Sequence, residues 1–192
     1  MKAESASGSH ENLAPSQWIA RHAALVPAGA RVLDLACGSG RHARLFAQRG
    51  ARVLAVDRDG AALAAIGNVT GIEMRLVDVE TSDWPFAGER FDAIVVTNYL
   101  HRPALPRLVA SLADDGALLY ETFARGNEAY GRPSNPDFLL EPGELLALVG
   151  DRLTVVEFAQ GLADLGGRPA VVQRLAAVGR ARAWPPPLES SR

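Results

Sequence analysis

The middle of this chain alternates short apolar, β-branched runs with helical patterns, and that alternation leaves few folds open. Arg31–Leu35, Arg52–Asp57, residues 72–77, Phe91–Thr97 and residues 117–123 read as strands. Between them, residues 41–49 are predicted helical and closed by Gly50, and residues 60–66 form a helix ending near Gly67. Residues 103–112 form another, with Pro103 in its first turn, and residues 142–149 a short one. Strands that alternate with helices predict a parallel sheet covered on both faces. The unbroken run Ala93-Ile94-Val95-Val96 suits a strand buried on both sides. The end of the chain breaks the rhythm. Residues 153–158 and 169–178 are strand-like, with only residues 161–167 in between. No crossover helix fits there, so this pair is expected to be antiparallel. The expected fold is α/β: a seven-stranded, mostly parallel sheet with a C-terminal antiparallel hairpin.

A chain of 192 residues fits one domain with one core. Residues 1–12 are polar and are expected to be a disordered lead-in, residues 13–180 the domain, and residues 181–192 a Pro-rich tail. Within the tail, Trp184 is expected to tuck against the body. A formal net charge of -2 argues against a nucleic-acid partner or an anionic membrane surface. Lys2 is the sole lysine, which reads first as coding bias. No apolar run is long enough to span a bilayer, and the first residues have no apolar signal core. Cys37, the single cysteine, excludes an internal disulfide and makes the cytoplasm the expected compartment.

The strongest local signal is Asp34-Leu35-Ala36-Cys37-Gly38-Ser39-Gly40, at the end of the first strand and the start of a helix. Glycines let the chain turn sharply and bring its backbone close to a ligand. The helix start offers unpaired N–H groups to a carboxylate or phosphate. Asp57 ends the second strand about 20 residues on, where a ribose-binding carboxylate belongs in a Rossmann-like site. Asp78 ends the third strand, where an adenine amino group could donate to it. The loop and Asp57 also satisfy the nicotinamide dinucleotide fingerprint, Gly38-x-Gly40-x-x-Ala43. Asp34, an acceptor placed for an amino-acid ammonium, and the terminal hairpin separate the two readings.

On these residues the chain resembles the class I S-adenosylmethionine (SAM)-dependent methyltransferases over roughly residues 15–180. Ala36 departs from the family's usual glycine. The resemblance implies a Rossmann-like fold, SAM as cofactor and S-adenosylhomocysteine as product. It implies that Asp34 and the loop (Ala36, Cys37, Gly38, Gly40) hold the methionine part. Asp57 would hold the ribose, and Asp78 with Val79 the adenine, with Arg58 also in the cofactor-binding set. Thr97 closes the expected cofactor set. The segments Asn98-Tyr99-Leu100-His101-Arg102, Glu121-Thr122-Phe123 and residues 135–142 resemble a smaller bacterial subgroup described as tellurite-resistance-like.

Methyl transfer from a sulfonium is an in-line displacement, so the protein supplies mainly alignment and desolvation. His101 is the candidate general base, its ordinary pKa being about 6.5. Tyr99 and Asn98 are candidates to orient an acceptor. The Gly-, Asn- and Pro-rich stretch 123–141 is expected to be a long binding loop, with Arg125, Tyr130 and Arg132 for a polar or anionic acceptor. The histidines show no metal spacing, so no metal site is expected. A small-molecule acceptor is the leading expectation. An RNA or protein methyltransferase, a SAM-binding regulator without catalysis and a nicotinamide oxidoreductase are the alternatives.

Overall fold

The computed structural model describes residues 14–81 and 83–188. The lead-in expected over residues 1–12 and the end of the tail, residues 189–192, lie outside the described residues.

The chain enters through α1, Gln17–Arg21, capped by the Ser16 hydroxyl, which accepts from the N–H groups of Trp18 and Ile19. Then follow β1 (Arg31–Leu35), α2 (Arg41–Gln48), β2 (Arg52–Asp57), α3 (Gly60–Ala64), β3 (Ile72–Leu76) and β4 (Phe91–Thr97). The second half holds α4 (Leu105–Ala110), β5 (Leu112–Phe123), α5 (Glu144–Val149), β6 (Leu153–Asp164) and β7 (Pro169–Gly179). They build one seven-stranded sheet in the order β3-β2-β1-β4-β5-β7-β6. The β1–β5 pairings are all parallel, while β7 runs antiparallel to both β5 and β6. The expected fold is the observed one, and β7 is the strand that runs against the rest.

Alternate residues of each strand feed two separate cores. Leu33, Leu54, Ile94, Leu118 and Leu175 face α4 and α5, packing with Leu108, Leu145 and Val149. Val32, Ala55, Ala93, Ala117 and Ala176 face the other way, under Trp18 and Ile19 of α1 and Phe46 of α2. Alanines on that face leave room for α1 and α2 to lie close to the sheet. The residues Ala93, Ile94, Val95 and Val96 are all fully buried, as their unbroken apolar run predicts.

Several boundaries differ from expectation: β5 begins at Leu112 and not at 117, and β6 runs on to Asp164 past 158. The helix expected over residues 103–112 begins as a 3-10 turn, Arg102–Ala104, and its α-helical part stops at Ala110, because Leu112 already pairs with Phe91. The stretch 123–141 is not structureless. It holds two 3-10 turns, Asn127–Ala129 and Pro136–Phe138, and buries Leu139 and Leu140. Trp184 is 65% exposed and does not tuck in. Arg182 anchors the tail instead, donating to the carbonyls of Leu25 at 2.7 Å and Asp115 at 3.2 Å. No helix among the described residues is long and apolar enough to cross a membrane.

Candidate functional site

The turn from β1 to α2 is held from both sides. Cys37 N–H donates to the carbonyl of Val56 at 3.0 Å, and Gly38 N–H to Asp57 Oδ2 at 2.8 Å. Asp57 Oδ1 accepts from Asp59 N–H at 2.9 Å. Each carboxylate oxygen has a second lone pair, so Asp57 can brace the loop and still accept from a ligand hydroxyl. Gly40 has φ +77, and a Cβ there would meet Ile66 side-chain atoms at 2.8 Å. Ala36 takes the same left-handed region at φ 54, which explains why glycine suits that position in the family it resembles. The Cys37 thiol is buried, its Sγ lying 3.5 Å from the Gly38 carbonyl, and burial raises its pKa, so it is a packed residue and not a nucleophile.

A row of polar side chains lies on the α1/α2 face at the carboxyl ends of the strands. Asp34 is 1% exposed, and its Oδ2 has no hydrogen-bond partner. Burial pushes its pKa up to about 7, against the lowering effects of the Ala43 N–H and Arg41. His42 accepts the Ser16 N–H on Nε2 at 3.1 Å, while Nδ1 lies 3.4 Å from the Thr97 hydroxyl. Burial and Arg41 push its pKa down to about 3, so the ring is neutral, and Nδ1 carries the proton toward Thr97. Thr97 therefore serves first to fasten α2 and the chain before α1 to β4. Glu121, buried at the end of β5, accepts from Arg174 Nε at 2.6 Å across the β5–β7 pair.

On the other side of the loop a cleft is lined by Ala36, Asp57, Arg58, Asp78, Val79 and Tyr99, among others. Asp78 is exposed, and its Oδ1 accepts from the Glu80 N–H at 2.9 Å. Arg58 is paired with Glu80 at 3.2 Å. The Tyr99 hydroxyl points to Glu80 Oε1 at 3.5 Å, and burial raises its pKa, so it stays a neutral donor. Its carbonyl accepts from the buried Tyr120 hydroxyl at 2.9 Å, which fixes the backbone just past β4.

The residues expected to meet an acceptor are less gathered. Asn98 is exposed with φ 54, its N–H donating to the Glu121 carbonyl at 3.0 Å. His101 is half-buried at the start of the 3-10 turn, and its ring does not cap it. Arg125 is paired with Glu141 at 3.1 Å, and Tyr130 and Arg132 are exposed. Their loop is pinned by Arg102, which donates to the carbonyls of Asp137 at 2.9 Å and Leu139 at 2.8 Å and pairs with Glu144 at 2.7 Å. Sequence reading gave no role to Arg41, His42, Glu121 or Arg174. For Arg41 and His42 a signal existed, since they are the first two residues of the helix after the glycine turn. For Arg174 none did, because its place depends on the β7 register.

Residues 32–115 match the family model described as a methyltransferase domain. Over that part of its length the chain is similar to methyltransferases. No significant match is found among curated proteins. Solved structures share the fold. TehB from Haemophilus influenzae superimposes with a TM-score of 0.63 at 21% identity, covering 79% of this chain but only 58% of that one. A TehB-like SAM-dependent methyltransferase from Corynebacterium glutamicum gives 0.60 at 19% identity, covering 84% of this chain and 86% of that one. Coclaurine N-methyltransferase, bound to N-methylheliamine and S-adenosylhomocysteine, gives 0.64 at 15% identity, covering 83% and 70%. The residues here fit the family's cofactor. Asp34 presents a buried, unpartnered oxygen beside the glycine turn, and Asp57 keeps spare lone pairs beside the cleft.

Proposed function

We propose that this protein transfers a methyl group from SAM to a small-molecule acceptor. The observation that carries the reading is the unpartnered oxygen of Asp34, buried beneath a glycine turn that Asp57 braces from the next strand. A dinucleotide pyrophosphate has no use for a buried carboxyl group at that point, whereas an ammonium needs an acceptor there. The cofactor would supply an activated methyl group on a sulfonium for in-line displacement. Asp34 and the turn at Ala36, Cys37, Gly38 and Gly40 would hold its amino-acid part, Asp57 and Arg58 its ribose, Asp78 and Val79 its adenine. Thr97 would act through His42.

Tyr99 and Asn98 would orient the acceptor, Tyr99 as a neutral hydrogen-bond donor. His101 would accept, at its unprotonated ring nitrogen, the proton of an acceptor that must lose one. Arg125, Tyr130 and Arg132 would engage its polar end. The net charge of -2 and the small molecule on coclaurine N-methyltransferase support a small acceptor over RNA. The cytoplasm remains the proposed compartment and residues 13–180 the proposed domain. Calorimetry with S-adenosylhomocysteine and NADH tests the cofactor: tighter binding of NADH overturns the reading. A transfer screen with methyl-labelled SAM against metabolite, RNA and protein pools tests the acceptor, and label appearing only in RNA or protein overturns the small-molecule part.

A further inference from the structure

Arg174 of β7 sits in register with Glu121, near the carboxyl end of β5. One edge of its guanidinium is fixed, because Nε donates to the buried Glu121 Oε2 at 2.6 Å. Its Cζ lies 6.0 Å from the centre of the Trp18 ring on α1. The side chain is half-buried, and Nη1 and Nη2 have no hydrogen-bond partner among the described residues. A planar fork of donors, clamped on one edge and open on the other, suits a carboxylate or a phosphate. Trp18 adds a second open donor on the same face. Its Nε1–H is buried and has no acceptor among the described residues. A buried N–H without an acceptor is costly, and an oxygen of a bound molecule would offset that cost.

The order of the strands divides the ground between two ligands. The proposed cofactor takes the turn after β1 and the cleft at β2 and β3. On the other side of β1 come β4, β5 and β7, and the molecule that receives the methyl group has to enter there. The carboxylates on that side are already matched. Glu121 is held by Arg174, and Glu157 by Arg21 at 3.1 Å and His22 at 2.9 Å. Arg41, at the start of α2, brings a second guanidinium whose charge acts on Glu121. What stays open beside β5 and β7 is donor capacity and positive charge.

We propose that Arg174 binds an anionic group of the methyl acceptor, a carboxylate or a phosphate, through its open Nη edge. Glu121 is then a positioning residue that holds the guanidinium still. This rests on the reading of the protein as a methyltransferase with a small acceptor. Arg125, Tyr130 and Arg132 are exposed, so they would meet the outer end of the same molecule.

The first test finds the charge class of the acceptor. A small-molecule extract is split on an anion-exchange resin into bound and unbound fractions, and each is incubated with the protein and methyl-labelled SAM. Label should appear in the bound fraction. Phosphatase treatment of that fraction beforehand abolishes the labelling of a phosphate monoester and spares that of a carboxylate. Label in the unbound fraction alone overturns the proposal. Label in neither fraction overturns the small-acceptor reading beneath it.

Two variants then test Arg174 itself, with the active fraction as acceptor. Arg174→Lys keeps a charge for Glu121 and loses the fork. Glu121→Gln with Arg174→Gln leaves no buried charge unpaired. Both should bind S-adenosylhomocysteine in calorimetry as the parent does, which shows that they are folded. The apparent KM for the acceptor should rise about 10- to 100-fold in the double variant, the range expected for hydrogen bonds to a charged group, and less in Arg174→Lys. The fall in kcat should be much smaller, the pattern of lost acceptor binding. An unchanged KM in both variants overturns the proposal. Weakened S-adenosylhomocysteine binding in both assigns the pair to structure and overturns it as well.

Discussion

Gly38 donates its backbone N–H to Oδ2 of Asp57 at 2.8 Å, so the carboxylate at the end of β2 holds the turn at the end of β1. One side chain thereby shapes the loop and faces the cleft beside it. Asp57→Ala should weaken S-adenosylhomocysteine binding by roughly 1.5–3 kcal/mol, the worth of hydrogen bonds to a charged group. It should also loosen the loop, so hydrogen exchange at Gly38 should rise in the ligand-free protein. Calorimetry reads the first effect and exchange the second. Unchanged affinity would show that the ribose lies elsewhere.

Ala36 sits at φ 54, where an L-residue is strained by about 1–2 kcal/mol. Ala36→Gly removes that strain, and the looser unfolded chain offsets about 0.4–1 kcal/mol of the gain. The expected outcome is a net stabilisation of up to about 1 kcal/mol in urea unfolding. A destabilised variant would mean that the Ala36 methyl packs usefully in the cleft.

Asp34 and His42 make opposite contributions to the pH dependence of stability. The Asp34 pKa rises on folding from 3.8 to about 7, so its contribution is full below about pH 4 and is lost as pH rises to 7. The His42 pKa falls from 6.5 to about 3, so its contribution is full above 6.5 and is lost as pH falls toward 3. Between about pH 4 and 6.5 the two slopes oppose each other. Asp34→Asn should therefore gain stability with rising pH more steeply than the parent across that window. His42→Asn should gain it less steeply. Chemical denaturation at a series of pH values checks both, and parallel profiles for all three proteins would contradict the assignment.

Asn127 is buried, accepts from the Val171 N–H at 3.1 Å and donates to the Pro133 carbonyl at 3.0 Å. It ties the base of the 123–141 loop to β7. Asn127→Ala leaves both partners unsatisfied and should cost about 2–3 kcal/mol. Faster hydrogen exchange should be confined to the loop and its neighbours on β7. Faster exchange across the whole sheet would mean that the loop is part of the core unit and does not open separately.

The strand–helix alternation, the hairpin and the acidic strand ends were legible in the sequence because each rests on local periodicity or on one strand followed by one turn. The start of β5 was not legible. Ala113, Asp114, Asp115 and Gly116 carry no strand pattern, and only pairing with β4 draws Leu112 into the sheet. The glycine turn after β1 was legible down to Ala36, whose left-handed backbone marks a position that suits glycine. The polar row of Arg41, His42, Thr97, Glu121 and Arg174 was not, because it is assembled from four elements distant in sequence. His42 shows the limit well. Its two ring nitrogens are committed to Ser16 and Thr97, and neither partner can be read from its neighbours in the chain.

The position of β7 has a consequence for how the protein is made. It lies between β5 and β6, pairing with both, and is the last strand of this sheet to be synthesised. Until then β5 has an open, apolar edge, and β6 has no neighbour to hold it. Arg174, the partner of Glu121 at the end of β5, arrives with β7 as well. The nascent chain can form the β1–β5 layer but must keep its edge from pairing with other chains, a known hazard of exposed strands. The sheet is thus expected to close in one late step, with the polar row beside the glycine turn completed in the same insertion.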